Sequence, residues 1–433
     1  MPALSASEIP SSAQDTLRLR KLQVLGVLCG FTAGAWLGAA EAPTKLVAVG
    51  VSPVVISLIM VIGVFLARWS LPALILGTSS IHADVRRAPH LIIWAILAGC
   101  LWAVANTLTI FAIRDIGLSI AFPLWNTNSL LGIFWGFVFF NELRQAGWRR
   151  WAGVLGGALV MCAGATLLAV ASSAQAPAAH PMRGALAALG AGILWGTMYI
   201  PYRKAYLTGM NPLSFVTFFT FGELGMMTAL AVSYLGVLPL WHELLRARDV
   251  LFWLMLGGFI WVIGDLFQQY AAKYVGISRG IPLSNSNQLW GLLWGIFVFG
   301  ELRGRNTSLY AQVIGGSLLM MLGVGAIALS SAGGAEQIRW KEAARREAGR
   351  YGIAVDDVEA RMEGRQAREV RRGGSASDWL LVIVATGVFL FFGAIARVPQ
   401  ISANWGPAVA LVGALMVLLF VCGLRLWRTT KFQ

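Results

Sequence analysis

Charge is scarce in this sequence. Asp, Glu, Lys and Arg make up only 12% of its 433 residues, about half the share of an average soluble domain. Histidine and cysteine number four each. His82, His90, His180 and His242 fall in connections between apolar runs, with neither metal-ligand spacing nor a Ser/Asp arrangement beside them. Cys29, Cys100, Cys162 and Cys422 each lie inside an apolar run, which suits packing thiols rather than a disulfide framework. No phosphate-cradling glycine loop is present. These features argue against a secreted disulfide scaffold, a metalloenzyme and a nucleotide-dependent enzyme, so no catalytic residue, metal or cofactor is expected.

Apolar residues dominate instead. The hydrophobic share is 57%, with 49 glycines besides, where an average domain holds both within about 45–50%. No soluble core could hide that surface, so the expected fold is an all-α polytopic membrane protein. The net charge is +14, but its cations sit in short segments between apolar runs. That is the pattern of basic membrane-protein loops facing lipid headgroups, not of a nucleic-acid-binding face.

Runs near 20 residues can cross the hydrocarbon layer. Twelve are expected: spans one to ten at 22–42, 46–67, 91–113, 117–140, 151–172, 183–202, 212–239, 250–272, 276–300 and 308–331, then spans eleven and twelve at 379–396 and 407–427. The implied organisation is a polar tail (1–21), a first five-helix unit (22–173), a second (183–331), a charged helical insert (332–378) and a two-helix extension (379–428). Span one is read as retained rather than cleaved. Counting Arg68, Arg203, Lys204, Lys273 and Arg279 among the loop cations, most cations fall on the side of the N-terminus, which predicts both termini in the cytoplasm.

An internal repeat organises the chain. Residues 94–144 laid over 253–303, at a constant offset of 159, are identical at 19 of 51 positions, including Trp102/Trp261, Pro123/Pro282, Asn126/Asn285, Asn128/Asn287 and Glu142/Glu301. Pro43 and Lys45 correspond to Pro201 and Arg203, and Gly50–Pro53 to Gly209–Pro212. Matched Pro, Asn and Glu do not recur at one offset by shared hydrophobicity. Five spans per copy would invert the second copy across the membrane, giving a ten-helix bundle of two inverted five-helix repeats. That architecture is common in secondary transporters, whose site lies near the midplane between halves.

Polar groups at membrane depth mark the candidate site. Trp102, Asn106 and Thr109 share one helical face of span three, as Trp261, Asp265 and Gln268 do in span eight, beside Gln269. Pro123-Leu-Trp-Asn126-Thr-Asn128 and Pro282-Leu-Ser-Asn285-Ser-Asn287, then Gln288, should break spans four and nine and leave backbone that only protein or a wet cavity can satisfy. The expected substrate set is Trp102, Asn106, Asn126, Asn128, Trp195, Trp261, Gln268, Gln269, Asn285, Asn287 and Gln288. Aromatic faces with amides suit a small neutral polar solute: a sugar, or equally a ureide, nucleobase or other metabolite. Asp265 is the expected proton-coupling carboxylate, with Glu41 and Glu223 as secondary candidates. Glu142 and Glu301 read as interfacial anchors. The glycine pairs at Gly153–Gly157 and Gly315-Gly316 suit internal packing or a homodimer contact. A membrane sensor or scaffold without transport is the competing class.

G-x-x-x-x-P at the exit of each first span, W-x-x-x-N/D in each third and P-L-x-N-x-N in each fourth resemble the drug/metabolite transporter superfamily. Gly192-Ile-Leu-Trp-Gly-Thr-Met-Tyr-Ile-Pro201 and Gly291-Leu-Leu-Trp-Gly-Ile-Phe-Val-Phe-Gly-Glu301 resemble its glucose/ribose porter group of sugar transporters. The likeness covers about 22–331. It implies proton-coupled sugar uptake (symport) across a bacterial inner (plasma) membrane. The alternating acids and bases of 336–372 read as a solvated, cytoplasmic helical segment.

Overall fold

The computed structural model describes residues 13–47, 50–116, 121, 124–125, 127–144, 146–172, 180–300, 307–330, 334–362, 374–397 and 403–432. Its regular structure is helical, and ten helices among these residues are long and apolar enough to cross a membrane. The fold class is therefore the all-α polytopic membrane protein that the composition dictates.

Spans one, three, six, seven, eight and ten form as the helices Ala13–Ala39, His90–Ile116, Pro181–Leu207, Pro212–Leu235, Leu251–Val275 and Thr307–Leu329. Spans eleven and twelve form as Ala376–Ala394 and Trp405–Thr430. Span five opens with Trp148–Trp151, widens into a π-turn at Ala152–Gly156 and continues as Gly157–Ser172. Span nine is interrupted. The described helix of span four is only Asn128–Phe140, and span nine is assembled from Ile277–Ser284, Asn287–Leu293 and a π-turn at Trp294–Val298. The first of these helices runs through Pro282, and the break in span nine falls at Asn285 and Ser286, where the Asn285 amide turns to Ser129 of span four.

Span two departs from expectation. It occupies Pro53–Ile75 rather than 46–67, starting where Ser52 caps the Val55 amide and Pro53 takes the first turn. Arg68 does not end the helix; it lies inside it and is fully buried. Arg203, Lys204, Lys273 and Arg279 are also buried. These five cations are partners inside the protein, not loop charges at a headgroup surface.

The spans pack across the two halves in exchanged couples. Span three packs on six, and one on eight; three on seven, and eight on two; four on six, and nine on one. Five meets ten, two meets seven and four meets nine. Glycine permits the five–ten contact: a Cβ on Gly157 would come within 2.8 Å of the Gly323 carbonyl, and one on Gly164 within 2.6 Å of that of Gly316. Gly157 and Gly316 thus serve packing within the chain. Spans eleven and twelve lie along the flank, eleven on spans two and eight, twelve on spans one and nine. Cys29 and Cys422 face each other there at 3.6 Å as buried thiols.

The charged insert forms Gly334–Arg350 and Val355–Met362. It is not simply solvated. Trp340, Ala343, Ala344, Ala348, Ile353 and Val358 are buried, and the last five join the main apolar core.

Candidate functional site

A cavity of about 700 Å³ lies between the two halves, within the usual range for small-molecule sites. Spans one, three, four, six, eight and nine supply its walls. Trp102 and Trp261, repeat counterparts, meet edge-to-face across it at 5.4 Å between ring centroids. Trp125 and Trp195 form a second edge-to-face pair at 6.4 Å. Toward the end remote from the insert the lining reaches Lys45, Ile113 and Phe299. Lys45 is exposed and sits 4.9 Å over the Phe299 ring.

Of the eleven expected substrate residues, the structure gathers nine on this wall: Trp102, Asn106, Asn128, Trp195, Trp261, Gln268, Asn285, Asn287 and Gln288. Several already bond within the protein. Asn106 donates to Ser57 Oγ at 3.3 Å, Gln268 to Ser284 Oγ at 2.6 Å and Asn285 to Ser129 Oγ at 2.6 Å. The Asn287 Oδ1 acceptor and the indole N–H donors of Trp195 and Trp294 have no hydrogen-bond partner among the described residues. Buried polar atoms of that kind are normally satisfied; these belong to residues of the cavity wall but are themselves sealed from its open volume. Gln269 is not on the wall. It is fully buried, donates to Asp265 Oδ1 at 2.7 Å and accepts from the Tyr206 hydroxyl at 2.5 Å. Asn126 lies outside the described residues. So does the side chain of Glu41, whose backbone begins the short helix Glu41–Lys45.

Behind Trp261 lies a charged constellation from three spans. Arg68 Nη2 donates to Asp265 Oδ2 at 2.6 Å and Nη1 to Glu223 Oε2 at 2.9 Å, with all three side chains at most 1% exposed. The guanidinium stacks on Phe219 at 4.4 Å and on Trp261 at 5.2 Å, so one face of Trp261 serves the cavity wall and another the ion cluster. Asp265 accepts on both oxygens, the pattern of an ionised carboxylate. Glu223 Oε1 has no partner among the described residues. Sequence reading found both acids but missed the arginine that joins them. The signal was available in the apolar run Trp69–Leu76 continuing beyond it.

At the insert end the bundle is shut. Arg203 Nε pairs with Glu142 Oε1 at 2.8 Å, both side chains almost fully buried. Arg203 Nη1 also donates to the carbonyls of Ala272 and Lys273 at 3.1 Å. Glu142 accepts from the amides of Ile277 and Ser278, at 3.2 and 2.9 Å, and so caps the first helix of span nine. The chain delivers Glu142 through a turn with positive φ at Asn141 (58°) and Leu143 (60°), the latter an uncommon conformation for a branched residue. Glu142 is therefore not an interfacial anchor; it ties the two halves together at one end. Glu301, its repeat counterpart, lies outside the described residues.

A bundle of apolar spans enclosing an amide- and tryptophan-lined cavity, with a buried ion cluster behind it, defines a polytopic membrane protein with a cavity between its two halves. Its relatives narrow the class. Residues 186–353 match the family described as sugar transport protein, a match that extends past 331 into the insert. A Streptococcus pyogenes serotype M1 protein named for sugar uptake is 33% identical over 147 residues, 33% of this chain and 45% of that protein. A Staphylococcus aureus strain Mu50 protein named for glucose uptake is 24% identical over 241 residues, 52% of this chain and 75% of its own. The chain thus spans less than half the length of the streptococcal relatives it matches. The segments at 192–201 and 291–301 that resemble the sugar-porter group both fall inside the family match at 186–353.

Proposed function

We propose that this protein is a secondary transporter of a small neutral polar solute, a sugar, which works by alternating access between two inverted repeats and uses a proton as its coupling ion. One observation carries the reading: a cavity between the halves whose wall sets tryptophan rings beside side-chain amides. Apolar sugar faces suit the rings, and hydroxyls both donate to and accept from such groups. The exchanged couples of span contacts support the inverted arrangement. The two proteins named for sugar and glucose uptake support the substrate class.

Charge arithmetic supports the proton. Two buried carboxylates and one guanidinium sum to −1 when all are ionised, and a single proton makes the cluster neutral, the cheaper state at membrane depth. Glu223 Oε1 is the oxygen able to carry it, while Asp265 stays paired to Arg68 and Gln269. Losing the proton loosens the Glu223 side of the cluster, and Trp261 transmits the change to the cavity. Alternating access also requires the shut end to open and the cavity end to close. The repeat puts Lys45 and Glu301 in the places of Arg203 and Glu142, so that pair is expected to hold the opposite end when the first breaks. With the insert in the cytoplasm, as the basic termini suggest, the present state faces outward across a bacterial inner membrane.

The test is counterflow of labelled glucose in proteoliposomes, competed by pentoses, rhamnose, ureides and nucleobases. Saturable exchange supports a carrier, and the strongest competitor names its class. No movement of any labelled solute by folded, inserted protein would favour a sensor or scaffold. Glu223→Gln and Asp265→Asn should keep counterflow yet lose acid-driven accumulation about tenfold or more; accumulation at the parental level in both would remove the proton from the mechanism.

A further inference from the structure

The insert sits where a carrier of this design has to open. Trp340 lies on the Arg203 guanidinium at 4.6 Å, the arginine whose pair with Glu142 shuts that end. Glu347 pairs with Lys204 at 3.1 Å, and Lys204 also lies 5.1 Å over the Tyr351 ring. These contacts hold the insert to span six, in the second half. Others hold it to the first half. Tyr351 stacks on His90, the first residue of span three, at 3.6 Å and 12° between ring planes. Arg361 donates at 3.0 Å to Asp84, in the helix Thr78–Arg87 that follows span two.

Asp84 is itself a joint between the halves. It is buried, and its other oxygen accepts from the Asn211 amide at 3.2 Å and Ser214 Oγ at 2.8 Å at the start of span seven. Arg361 reaches the Gly209 carbonyl from the same nitrogen, at 3.4 Å. The insert therefore bridges the very elements that must separate if this end opens, and it does so with aromatic–cation and ion-pair contacts rather than with apolar surface alone.

We propose that residues 334–362 are a latch: a two-helix clasp that holds this end shut and must release or swing aside before the cavity can open toward it. The proposal rests on alternating access but not on the identity of the solute. Removing single clasp contacts therefore shifts the population toward the state open at the insert end, and each contact sets part of that bias.

The experiment reads access directly. Met198 lines the cavity. Met198→Cys is placed in full-length protein whose four native cysteines are replaced, in vesicles of known orientation, and an impermeant maleimide is added from the insert side. Trp340→Ala and Arg361→Ala together are expected to speed that alkylation about fivefold or more, and to slow it from the opposite side. Glu347→Gln, which removes one ion pair and leaves the clasp helices intact, should shift both rates in the same directions by less. If the double variant does not fold, the single variant decides. Unchanged insert-side alkylation in folded variants overturns the latch. Glucose is added in a parallel arm. Faster insert-side labelling with no response to glucose keeps the latch and counts against glucose as the solute; a glucose response in the parent with no effect of the clasp variants keeps the carrier and removes the latch.

Discussion

The two repeats agree in their motifs and part company at their charges. Exchanging the halves carries Asp265 onto Asn106, Arg68 onto Met227 and Glu223 onto Val64, at the offset of 159 that aligns the helices. Around Asp265, three spans meet in a buried ion cluster. At the corresponding place, Met227 and Val64 are buried apolar side chains, and the Asn106 amide donates to Ser57 Oγ. One backbone arrangement thus holds a triad of charges on one side of the pseudo-axis and its neutral copy on the other. The proposed coupling of one proton per cycle needs one such site, whereas the proposed solute chamber draws on both halves. The cavity wall takes Trp102 with Trp261 and Asn128 with Asn287, repeat partners in each case, while the ion cluster has no twin.

The comparison breaks hardest at Arg68. Arg68→Met copies the mirrored residue and leaves two buried carboxylates without their cation. Breaking a buried pair by deleting one partner costs about 3–5 kcal/mol, so the thermal midpoint in detergent should fall sharply and little folded protein should be recovered. Converting the whole cluster to its neutral copy, with Arg68→Met, Glu223→Val and Asp265→Asn together, should restore most of that stability. The triple variant is expected to retain counterflow and to lose accumulation driven by a pH gradient. A stable single variant, or a triple variant no better than the single one, would mean that the cluster does not hold the fold as an ion network.

What was readable in the sequence follows the same division. Polar residues stand out against an apolar background, so Asn106, Asp265 and the Pro-Leu-x-Asn-x-Asn segments announced themselves, and nine of the proposed contacts now share one wall. Cations near the end of an apolar run do not stand out. Arg68 has the position of a snorkelling anchor, and only its partners on two distant spans, 155 and 197 residues away, show that it is internal. Arg203 and Glu142 were masked in the same way, because a charge at a span end has the same local sequence whether it faces headgroups or the other repeat. The insert was misread for a different reason. Its alternating charges dominate the composition, while the stripe that docks, Trp340, Ala343, Ala344 and Ala348, recurs at helical spacing among small residues that carry little hydrophobic signal.

An intermediate effect should separate the two wall tryptophans. Trp102 and Trp261 offer the cavity equivalent rings, but only Trp261 also carries the Arg68 guanidinium. Trp102→Ala should weaken solute binding up to about tenfold, the order expected for losing one aromatic contact worth about 0.5–1.5 kcal/mol, and leave the pH dependence of transport as it is. Trp261→Ala should weaken binding by a similar factor and flatten that pH dependence as well, because the ring connects chamber and ion cluster. Equal pH profiles for the two variants would disconnect the cluster from the chamber.

The smallest effect belongs to the neutral copy itself. Asn106 is half-buried on the cavity wall, and its bond to Ser57 is long at 3.3 Å. Asn106→Ala removes a neutral hydrogen bond beside an open volume, where water can take its place, so the stability loss should stay below about 1 kcal/mol. Asp265→Ala at the mirrored position removes a carboxylate that holds Arg68 and Gln269, and should cost several times as much. Comparing the two alanine variants by thermal midpoint isolates the asymmetry from everything the repeats share, since the helices, the offset and the neighbouring tryptophans correspond. Equal losses would place the stabilising role of Asp265 in its shape and not its charge, and would count against the ion cluster as the seat of the proton that Glu223 is proposed to carry.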